Sequence, residues 1–384
     1  MIARLLDLLM LETAAVKTLL LTPGPLTTTE MTRAALNRDW GARDGDFIEL
    51  SKRIRRRLTE IAGAADTHTT IPIQGSGTFA VEATLQTLMP RSGRLLVLIN
   101  GTYGRRIAEI TRRLGRSVAT ITAPENQAID PMAVDRALAD DAAITDVALV
   151  HCETTSGILN PLESIASVVG RHSRRLLVDA MSSFGALPID GGRTPFTALI
   201  ASANKCLESV PGVAFVIAEV GYLSQSAGNA TSLSLDLYDQ WRAFEADGQW
   251  RFTPPVQVVA ALDKALDQLE SEGGVAARGA RYRRNYQVLI AEMEALGFEP
   301  YLQPELPAFV LATFREPREK WFEFEQFYNF LRNRGVVIYP GKLADEPSFR
   351  IGCIGAIDEA DIRYAIAAVA EFTRSVPLAR ASAG

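Results

Sequence analysis

Hydrophobic and polar positions alternate in blocks along residues 71–218, a pattern typical of an α/β fold. Short, continuously apolar runs predict strands at 71–74, 94–100, 118–122, 147–152, 175–180, 198–202 and 213–218. Segments with helical character separate them, at 75–88, 105–114, 131–139 and 162–172. Strands that are apolar along their whole length are buried on both faces. The pattern therefore predicts a mostly parallel central sheet sandwiched between helices.

The pattern changes near Gly273 and Gly274. Long helical segments lead into a region with predicted strands and helices at 309–314, 322–334, 336–339, 349–352 and 359–373. Two helices on a small sheet indicate a smaller α+β domain at the C-terminus. We predict three parts, which are an N-terminal segment packing on the body (1–21), a large domain (22–265) and a small domain (266–384).

Two features predict helices near the start of the chain. Apolar residues between Ile2 and Leu9 fall on one helical face, and the acidic residues Asp7 and Glu12 interrupt the run, which argues against a signal peptide. Thr27 and Glu30 have the spacing of a capping box, which predicts a helix start there.

Composition restricts the class of protein. The 384 residues are 47% hydrophobic and 22% charged, which is the profile of a globular chain and excludes a disordered, collagen-like or coiled-coil protein. A net charge of −5 gives no general attraction to nucleic acid or to an anionic membrane. Three widely spaced cysteines favour a reducing, cytoplasmic setting, and no cysteine or histidine cluster suggests a metal site.

The segment Gly75–Ser76–Gly77–Thr78 lies between a predicted strand and a predicted helix. Glycines allow close backbone approach, and the free N–H groups of a helix N-terminus bind anions. Ser76 and Thr78 add hydroxyl donors. A dinucleotide site would require a carboxylate at the end of the next strand, where Asn100 and Gly101 stand instead. The segment therefore favours a phosphate cradle, with a tight strand–helix turn as the simpler alternative.

Two further residues stand at predicted strand ends. Asp179 ends an apolar strand at the edge of the sheet where ligands bind in such folds, although an isolated aspartate there often serves as a helix cap or in an ion pair. Lys205 follows a buried strand, whereas the other five lysines lie in polar or helical surroundings. A lysine among apolar groups loses its proton more readily and can act as a nucleophile, or its amine can extend to solvent.

A phosphate cradle, a carboxylate and a lysine at one sheet edge together suit pyridoxal phosphate. This cofactor has a phosphate, a ring nitrogen that requires an anionic partner, and an aldehyde that reacts with a lysine amine. Tyr103, in a turn after the next strand, is a candidate to stack on the ring. The threonines Thr154 and Thr155 follow another strand and offer hydroxyl groups to the ring edge.

Several motifs resemble those of the 2-aminoethylphosphonate–pyruvate transaminases, which are fold-type-I pyridoxal phosphate enzymes in the alanine–glyoxylate aminotransferase lineage. The most specific are HCETTSGILNP (151–161) and SANKCLE (202–208), and the resemblance runs from about residue 22 to about residue 369. It implies a fold-type-I transferase with a large domain and a smaller C-terminal domain. It also implies a transaminase of phosphonate degradation.

The resemblance implies roles for the matching positions. Lys205 and Asp179 would be catalytic, as the lysine that holds the cofactor and the partner of its ring nitrogen. Cofactor contacts are implied for Ser76, Gly77, Thr78, Tyr103, Thr154, Thr155, Asp179, Ser182, Asn204, Lys205 and Thr253. Of the two threonines, Thr155 is favoured over Thr154. Thr253 would reach the phosphate across a homodimer interface, so shared active sites are implied.

Arg350 resembles the arginine that binds the acidic end of the substrates. A guanidinium matches a carboxylate or phosphonate with two parallel hydrogen bonds. The implied reaction moves the amino group of 2-aminoethylphosphonate to pyruvate, which gives phosphonoacetaldehyde and L-alanine. A serine- or alanine–glyoxylate aminotransferase of the same fold is the first alternative. A nicotinamide oxidoreductase and a non-catalytic binding module are the others.

Overall fold

The computed structural model describes residues 18–375. Its strands are distributed along most of this range. In chain order they are β1 (Leu19–Leu20), β2 (His68–Gly75), β3 (Arg94–Ile99), β4 (Ser117–Thr122), β5 (Ile144–Val150), β6 (Cys152–Glu153), β7 (Ile158–Leu159), β8 (Arg175–Asp179), β9 (Ala198–Ser202), β10 (Gly212–Glu219), β11 (Leu311–Arg315), β12 (Val336–Val337), β13 (Tyr339–Pro340) and β14 (Ser348–Gly352). The predicted strands of both regions are present, with ends that differ by a few residues.

The central sheet has seven strands in the order β2–β10–β9–β8–β5–β3–β4. Neighbours from β9 to β4 pair in parallel, whereas β10 is antiparallel to both β9 and β2. This mostly parallel sheet confirms the predicted α/β class. The parallel pairing brings the carboxyl ends of β3, β5, β8 and β9 to one edge, and the loops that follow them meet there.

Helices cover both faces of this sheet. In chain order, the α-helices of the described residues, including those that pack elsewhere, are α1 (Glu30–Ala34), α2 (Gly45–Ile61), α3 (Gly77–Leu88), α4 (Thr102–Arg113), α5 (Pro131–Asp140), α6 (Leu162–Arg171), α7 (Val220–Leu223), α8 (Leu237–Asp247), α9 (Val256–Glu272), α10 (Gly274–Ala295), α11 (Phe324–Arg332) and α12 (Glu359–Ser375). Apolar residues of α2, α5, α6 and α9 pack on one face, and those of α3, α4 and α8 on the other. The sheet is therefore the middle layer of three.

A third core lies towards the C-terminus. It joins α10, α11 and α12 to the three-stranded antiparallel sheet β11–β14–β13. Strand β1 belongs to this core as well, because it pairs in parallel with β12 and buries Leu19 beside it. The sequence pattern had not predicted β1, since two residues are too few to show an alternation.

The first described helix begins later than its capping pattern suggested. Thr29, not Thr27, caps α1, and its hydroxyl accepts a hydrogen bond from the Thr32 amide at 3.2 Å. The Thr27 hydroxyl instead accepts from the Leu20 amide at 2.9 Å, so it ties the incoming strand to the chain. The predicted cap was therefore wrong because a tertiary contact occupies the side chain. The helix predicted before residue 10 lies outside the described residues.

The proposed division into two domains at residue 265 falls inside α9. Leu266 and Leu269 of that helix pack in the same core as the large sheet. The helix ends at Gly273, whose positive φ of 105° reverses the chain before α10 begins. This packing favours the Gly273–Gly274 pair as the boundary, and the domain division itself stays a prediction.

No helix within residues 18–375 is both long and apolar enough to cross a bilayer.

The pairing of β1 generates a stability prediction. Leu21, directly after β1, is fully buried in the C-terminal core, whereas Leu20 is half-buried. We expect Leu21→Ala to lower the free energy of unfolding by about 2–5 kcal/mol, because it removes buried methyl groups and leaves a cavity. Leu20→Ala is the matched control and should cost less. Urea denaturation measures both, and equal losses would contradict this account of the packing.

Candidate active site

A cleft opens at the sheet edge where the parallel strands end. It is lined by Ser76, Gly77, Thr78, Val81, Tyr103, Arg106, Ile107, Val150, Cys152, Thr154, Asp179, Met181, Ser182, Ser202, Asn204 and Lys205. Loops from β2, β3, β5, β8 and β9 therefore contribute to one site. Most of the site residues expected from the sequence lie together here, although they are distant along the chain.

The floor of the cleft at one end is the N-terminus of α3. Ser76 caps this helix through its backbone and makes no side-chain capping bond, so its hydroxyl is available. The first N–H groups of a helix have no intrahelical partner. A Cβ on Gly77 would lie 2.3 Å from the Met181 sulfur, so a larger residue here would require the Met181 side chain to move. The geometry is that of an anion cradle.

Asp179 ends β8, and its side chain is nearly buried. Its carboxylate accepts one hydrogen bond from the Met181 amide at 3.0 Å and makes no ion pair within residues 18–375. Burial raises the pKa of Asp179 to about 6, against the opposing hydrogen bond from Met181. A buried carboxylate with a single amide donor is suited to a cationic partner supplied by a ligand.

Lys205 lies in the turn after β9. Its ammonium donates to the carbonyl oxygen of Pro23, in the segment that follows β1. Gly24 is a close neighbour, because a Cβ there would lie 2.7 Å from Lys205 Cδ, and its φ is +112°. Burial lowers the pKa of Lys205 below its usual value. The amine is therefore more easily deprotonated than that of an exposed lysine.

Tyr103 is the second residue of α4, and a buried carboxylate fixes its backbone. Glu153 accepts from the amides of Tyr103 at 3.0 Å and Gly104 at 3.2 Å. The tyrosine hydroxyl lies 3.2 Å from the ammonium of Lys342. Burial raises the pKa of Tyr103, but the positive charges of Lys342 and Lys205 act in the opposite direction, and the net pKa is lowered. The ring borders the cleft.

The two threonines of the loop after β6 differ in their surroundings. Thr155 is fully buried, donates its hydroxyl hydrogen to Glu153 at 2.7 Å and accepts from the Thr102 amide at 2.8 Å. It does not line the cleft, whereas Thr154 does. The sequence had favoured Thr155, but its hydroxyl is already used within the protein. The geometry favours Thr154 as a ligand contact.

Arg350 lies behind this loop and is almost completely buried. Its guanidinium donates to the carbonyl oxygens of Thr154 at 2.9 Å and Pro340 at 3.1 Å. It forms no ion pair with a carboxylate among the described residues. Burial lowers the pKa of Arg350, and the nearby Tyr103 opposes that effect. A buried arginine without a carboxylate partner is suited to an anionic ligand.

The remaining expected residues divide into two groups. Ser182 and Asn204 line the cleft beside Asp179 and Lys205. Thr253 does not; it is exposed in the loop between α8 and α9, next to the exposed ring of Phe252. One copy of the chain therefore does not bring Thr253 to its own cleft.

Three residues of the site were missed by the sequence reasoning. Arg106 lines the cleft and donates to the Thr78 hydroxyl at 3.3 Å. It stands three positions after Tyr103, so helical spacing alone would have placed both on one face of α4. Glu153 and Met181 act through backbone contacts, which leave no signal in the sequence. They position Tyr103 and Asp179, respectively.

Together these groups match the chemistry of pyridoxal phosphate. The helix N-terminus suits the phosphate, Asp179 suits a protonated ring nitrogen, and Lys205 offers an amine for the aldehyde. The buried carboxylate of Asp179, which accepts a single amide hydrogen bond, points to a ligand with a complementary positive charge. No group of three or more potential metal ligands occurs within the described range 18–375.

Comparison with known proteins gives a consistent result. A family model described as aminotransferase class-V matches residues 28–357. A protein of Burkholderia lata named 2-aminoethylphosphonate–pyruvate transaminase 2 is 53% identical over 371 residues, which cover 97% of this chain and 99% of that protein. A 2-aminoethylphosphonate–pyruvate transaminase of Pseudomonas aeruginosa is 52% identical over 366 residues, covering 95% and 99%.

A solved structure supports the same fold. The pyridoxamine–pyruvate aminotransferase of Mesorhizobium loti superposes with a TM-score of 0.86 at 25% identity, and the match covers 95% of this chain and 94% of that one. The sheet order, the flanking helices and the C-terminal core are therefore shared with a known aminotransferase structure.

The buried carboxylate generates a pH prediction. Because the pKa of Asp179 is about 6 in the folded protein and about 4 when unfolded, ionising it costs stability as the pH rises through that interval. Without any ligand, we expect Asp179→Asn to be more stable than the wild type by about 1–3 kcal/mol at pH 8. The two should be equally stable near pH 4. Calorimetry at both pH values measures this, and a difference independent of pH would contradict it.

Proposed function

The chain belongs to the class-V aminotransferases, and from this premise we propose that it transfers the amino group of 2-aminoethylphosphonate to pyruvate. The products are phosphonoacetaldehyde and L-alanine. The near full-length match to two transaminases named for this reaction carries the proposal. It confirms the family resemblance that the motifs indicated. The serine- or alanine–glyoxylate alternative has weaker support, because an alanine–glyoxylate aminotransferase of Nostoc is 24% identical, which supports the fold alone.

The cofactor of this family is pyridoxal phosphate, as predicted, and when bound it supplies an electron sink for the carbon that bears the amino group. Ser76, Gly77 and Thr78 would hold its phosphate at the α3 N-terminus. Tyr103 would cover one face of its ring. Ser182, Asn204 and Thr154 offer further polar contacts around the cleft.

Asp179 maintains the charge of the ring nitrogen in this proposal. Its buried carboxylate and the nitrogen would neutralise each other, which removes the cost of an isolated charge in the protein interior. The amide of Met181 donates to the carboxylate at 3.0 Å and fixes its orientation. Asp179 would then keep the ring nitrogen protonated and help to hold the cofactor in place.

Lys205 has two tasks. Its amine would hold the aldehyde of the cofactor, and the same amine would serve as the base that moves the proton of the carbon bearing the substrate amino group. The lowered pKa of Lys205 supports both tasks, because only the neutral amine is nucleophilic and basic.

Arg350 would bind the acidic end of both substrates. Its guanidinium is fixed by the carbonyl oxygens of Thr154 and Pro340 and has no carboxylate partner within residues 18–375. Phosphonate and carboxylate both accept hydrogen bonds from two guanidinium nitrogens. One arginine can therefore receive the amino donor and the keto acid in turn.

The assembly proposed is a homodimer with shared active sites. Thr253 is exposed and outside its own cleft, in the same loop as the exposed Phe252. A single exposed phenylalanine is ordinary on a protein surface, so the support for a shared site is the position of Thr253 outside its own cleft. Thr253 of one copy would then donate to the cofactor phosphate of the other.

We also infer a cytoplasmic location, supported by three free and buried cysteines.

The catalytic role of Lys205 is tested by Lys205→Ala. We expect release of phosphonoacetaldehyde to fall at least about 10³-fold, because the amine that moves the proton is absent. Lys264→Ala, at an exposed lysine of α9, is the control and should keep its activity. Borohydride treatment should attach the cofactor to the wild type and not to Lys205→Ala.

The wild type is the reference for the reaction itself. Double-reciprocal plots at several pyruvate concentrations should be parallel, since the amino group is held on the enzyme between the two substrates. Intersecting lines, or a wild type without activity towards 2-aminoethylphosphonate, would overturn the proposed reaction.

The shared site is tested by Thr253→Ala. We expect its affinity for pyridoxal phosphate to fall on the order of tenfold, since a hydrogen bond to a charged phosphate is lost. Thr120→Ala changes an exposed threonine on the outer strand β4 and is the matched control. Titration of the apoenzyme with the cofactor measures both. An unchanged affinity in a protein that sediments as a dimer would refute the role of Thr253.

A further inference from the structure

A second cation lies close to the proposed substrate arginine. The ammonium of Lys342 is 3.2 Å from the hydroxyl oxygen of Tyr103 and 5.0 Å from the centre of its ring. The negative character of Tyr103 also acts on the pKa of the buried Arg350, which it raises against the effect of burial. Tyr103 therefore lies within electrostatic reach of two positive groups, one buried and one exposed. No role follows for Lys342 from the proposed reaction as described above.

Neither cation has an acidic partner. Lys342 and Arg350 form no ion pair with a carboxylate in the part of the chain that the structure describes. Most other arginines and lysines near acidic residues form an ion pair, for example Arg105 with Glu125 at 2.5 Å. Two unpaired cations beside one cleft raise the local positive potential, which attracts anions.

The loop that carries Lys342 is held firmly at the cleft. Its first residue, Gly341, donates to the carbonyl oxygen of Ser348 at 2.7 Å, and Ser348 belongs to β14, the strand that bears Arg350. Ala344 donates to a Glu125 carboxylate oxygen at 3.0 Å. The loop is thereby tied to β14 on one side and to the large domain on the other. The backbone of the loop therefore keeps the exposed Lys342 next to Tyr103.

We propose that Lys342 is a second anion-binding residue, which acts with Arg350 to favour the phosphonate of the amino donor over a carboxylate. This inference rests on the proposed function, since it names how the same site recognises that substrate. A carboxylate has two oxygens, and one guanidinium can bind both. A phosphonate has a third oxygen and a larger negative charge, as a phosphate group does.

The chemical difference between the two cations suits different roles in binding the anion. The planar guanidinium of Arg350 fixes the orientation of two oxygens, whether they belong to a carboxylate or a phosphonate. The ammonium of Lys342 is a compact charge on a flexible stem, so it can adjust to a third oxygen. Because it is exposed, it also remains available to a substrate.

A competing explanation assigns Lys342 to Tyr103 instead. In that case, the ammonium of Lys342 only fixes the position of the tyrosine hydroxyl. Removing the ammonium would then lower the activity of the enzyme equally towards every substrate. The two explanations differ in what they predict for the ratio of substrates, because a support for the ring does not distinguish phosphonate from carboxylate.

The first experiment compares kcat/KM for the two half-reactions. In ping-pong kinetics, kcat/KM for 2-aminoethylphosphonate and for pyruvate are obtained independently from the same data. We expect Lys342→Gln to lower the value for the phosphonate on the order of tenfold more than the value for pyruvate. Lys342→Arg should restore much of the ratio, because it restores the charge. Lys320→Gln, at an exposed lysine after β11, is the matched control.

The second experiment repeats Lys342→Gln in the Tyr103→Phe background. If Lys342 acts on the phosphonate directly, the ratio should change as much without the tyrosine hydroxyl as with it. If the ratio changes only when the hydroxyl is present, Lys342 acts through Tyr103 and the inference is overturned.

The outcomes separate this inference from the proposed function. A wild type without activity towards 2-aminoethylphosphonate would refute the function itself. A fully active wild type whose Lys342→Gln variant loses both half-reactions equally would leave the function intact and refute the inference. A selective loss that arginine restores would support both.

Discussion

The structure depends on one electrostatic constraint, which is a carboxylate buried at the end of a sheet strand with too few partners. Asp179 receives a single amide hydrogen bond, and its surroundings raise its pKa to about 6. A buried charge of this kind is costly unless a cation meets it. In the proposed function, a protonated ring nitrogen of the cofactor would remove this cost.

The other groups of the site are arranged around the same sheet edge. Parallel pairing brings the ends of β5, β8 and β9 together, and α3 begins at that edge as well. Lys205 is held there by Pro23, from a segment that is itself fixed by the pairing of β1 with β12. The amine of Lys205, which follows a strand of the large sheet, is therefore positioned partly by the core of the C-terminal region.

A similar coupling exists on the substrate side. Arg350 and Lys342 come from β14 and the loop before it, whereas Tyr103 and Thr154 come from the large sheet. The carbonyl oxygen of Thr154 orients the arginine, and Glu153, the preceding residue, orients the tyrosine. In the proposed function, substrate recognition would therefore depend on contacts between two regions that the sequence pattern separates.

The sequence by itself determined the fold class, the family, the cofactor and most of the polar residues in the cleft. Apolar blocks identify buried strands, and strand ends identify a shared edge, so Asp179 and Lys205 could be predicted from local pattern and residue type. The tertiary structure alone decided which of two adjacent threonines faces the cleft and which residue caps α1. It alone revealed Glu153 and the contact of Lys342 with Tyr103, whereas the helical spacing from Tyr103 already indicated the position of Arg106. These depend on side-chain directions and long-range hydrogen bonds, which neither spacing nor composition records.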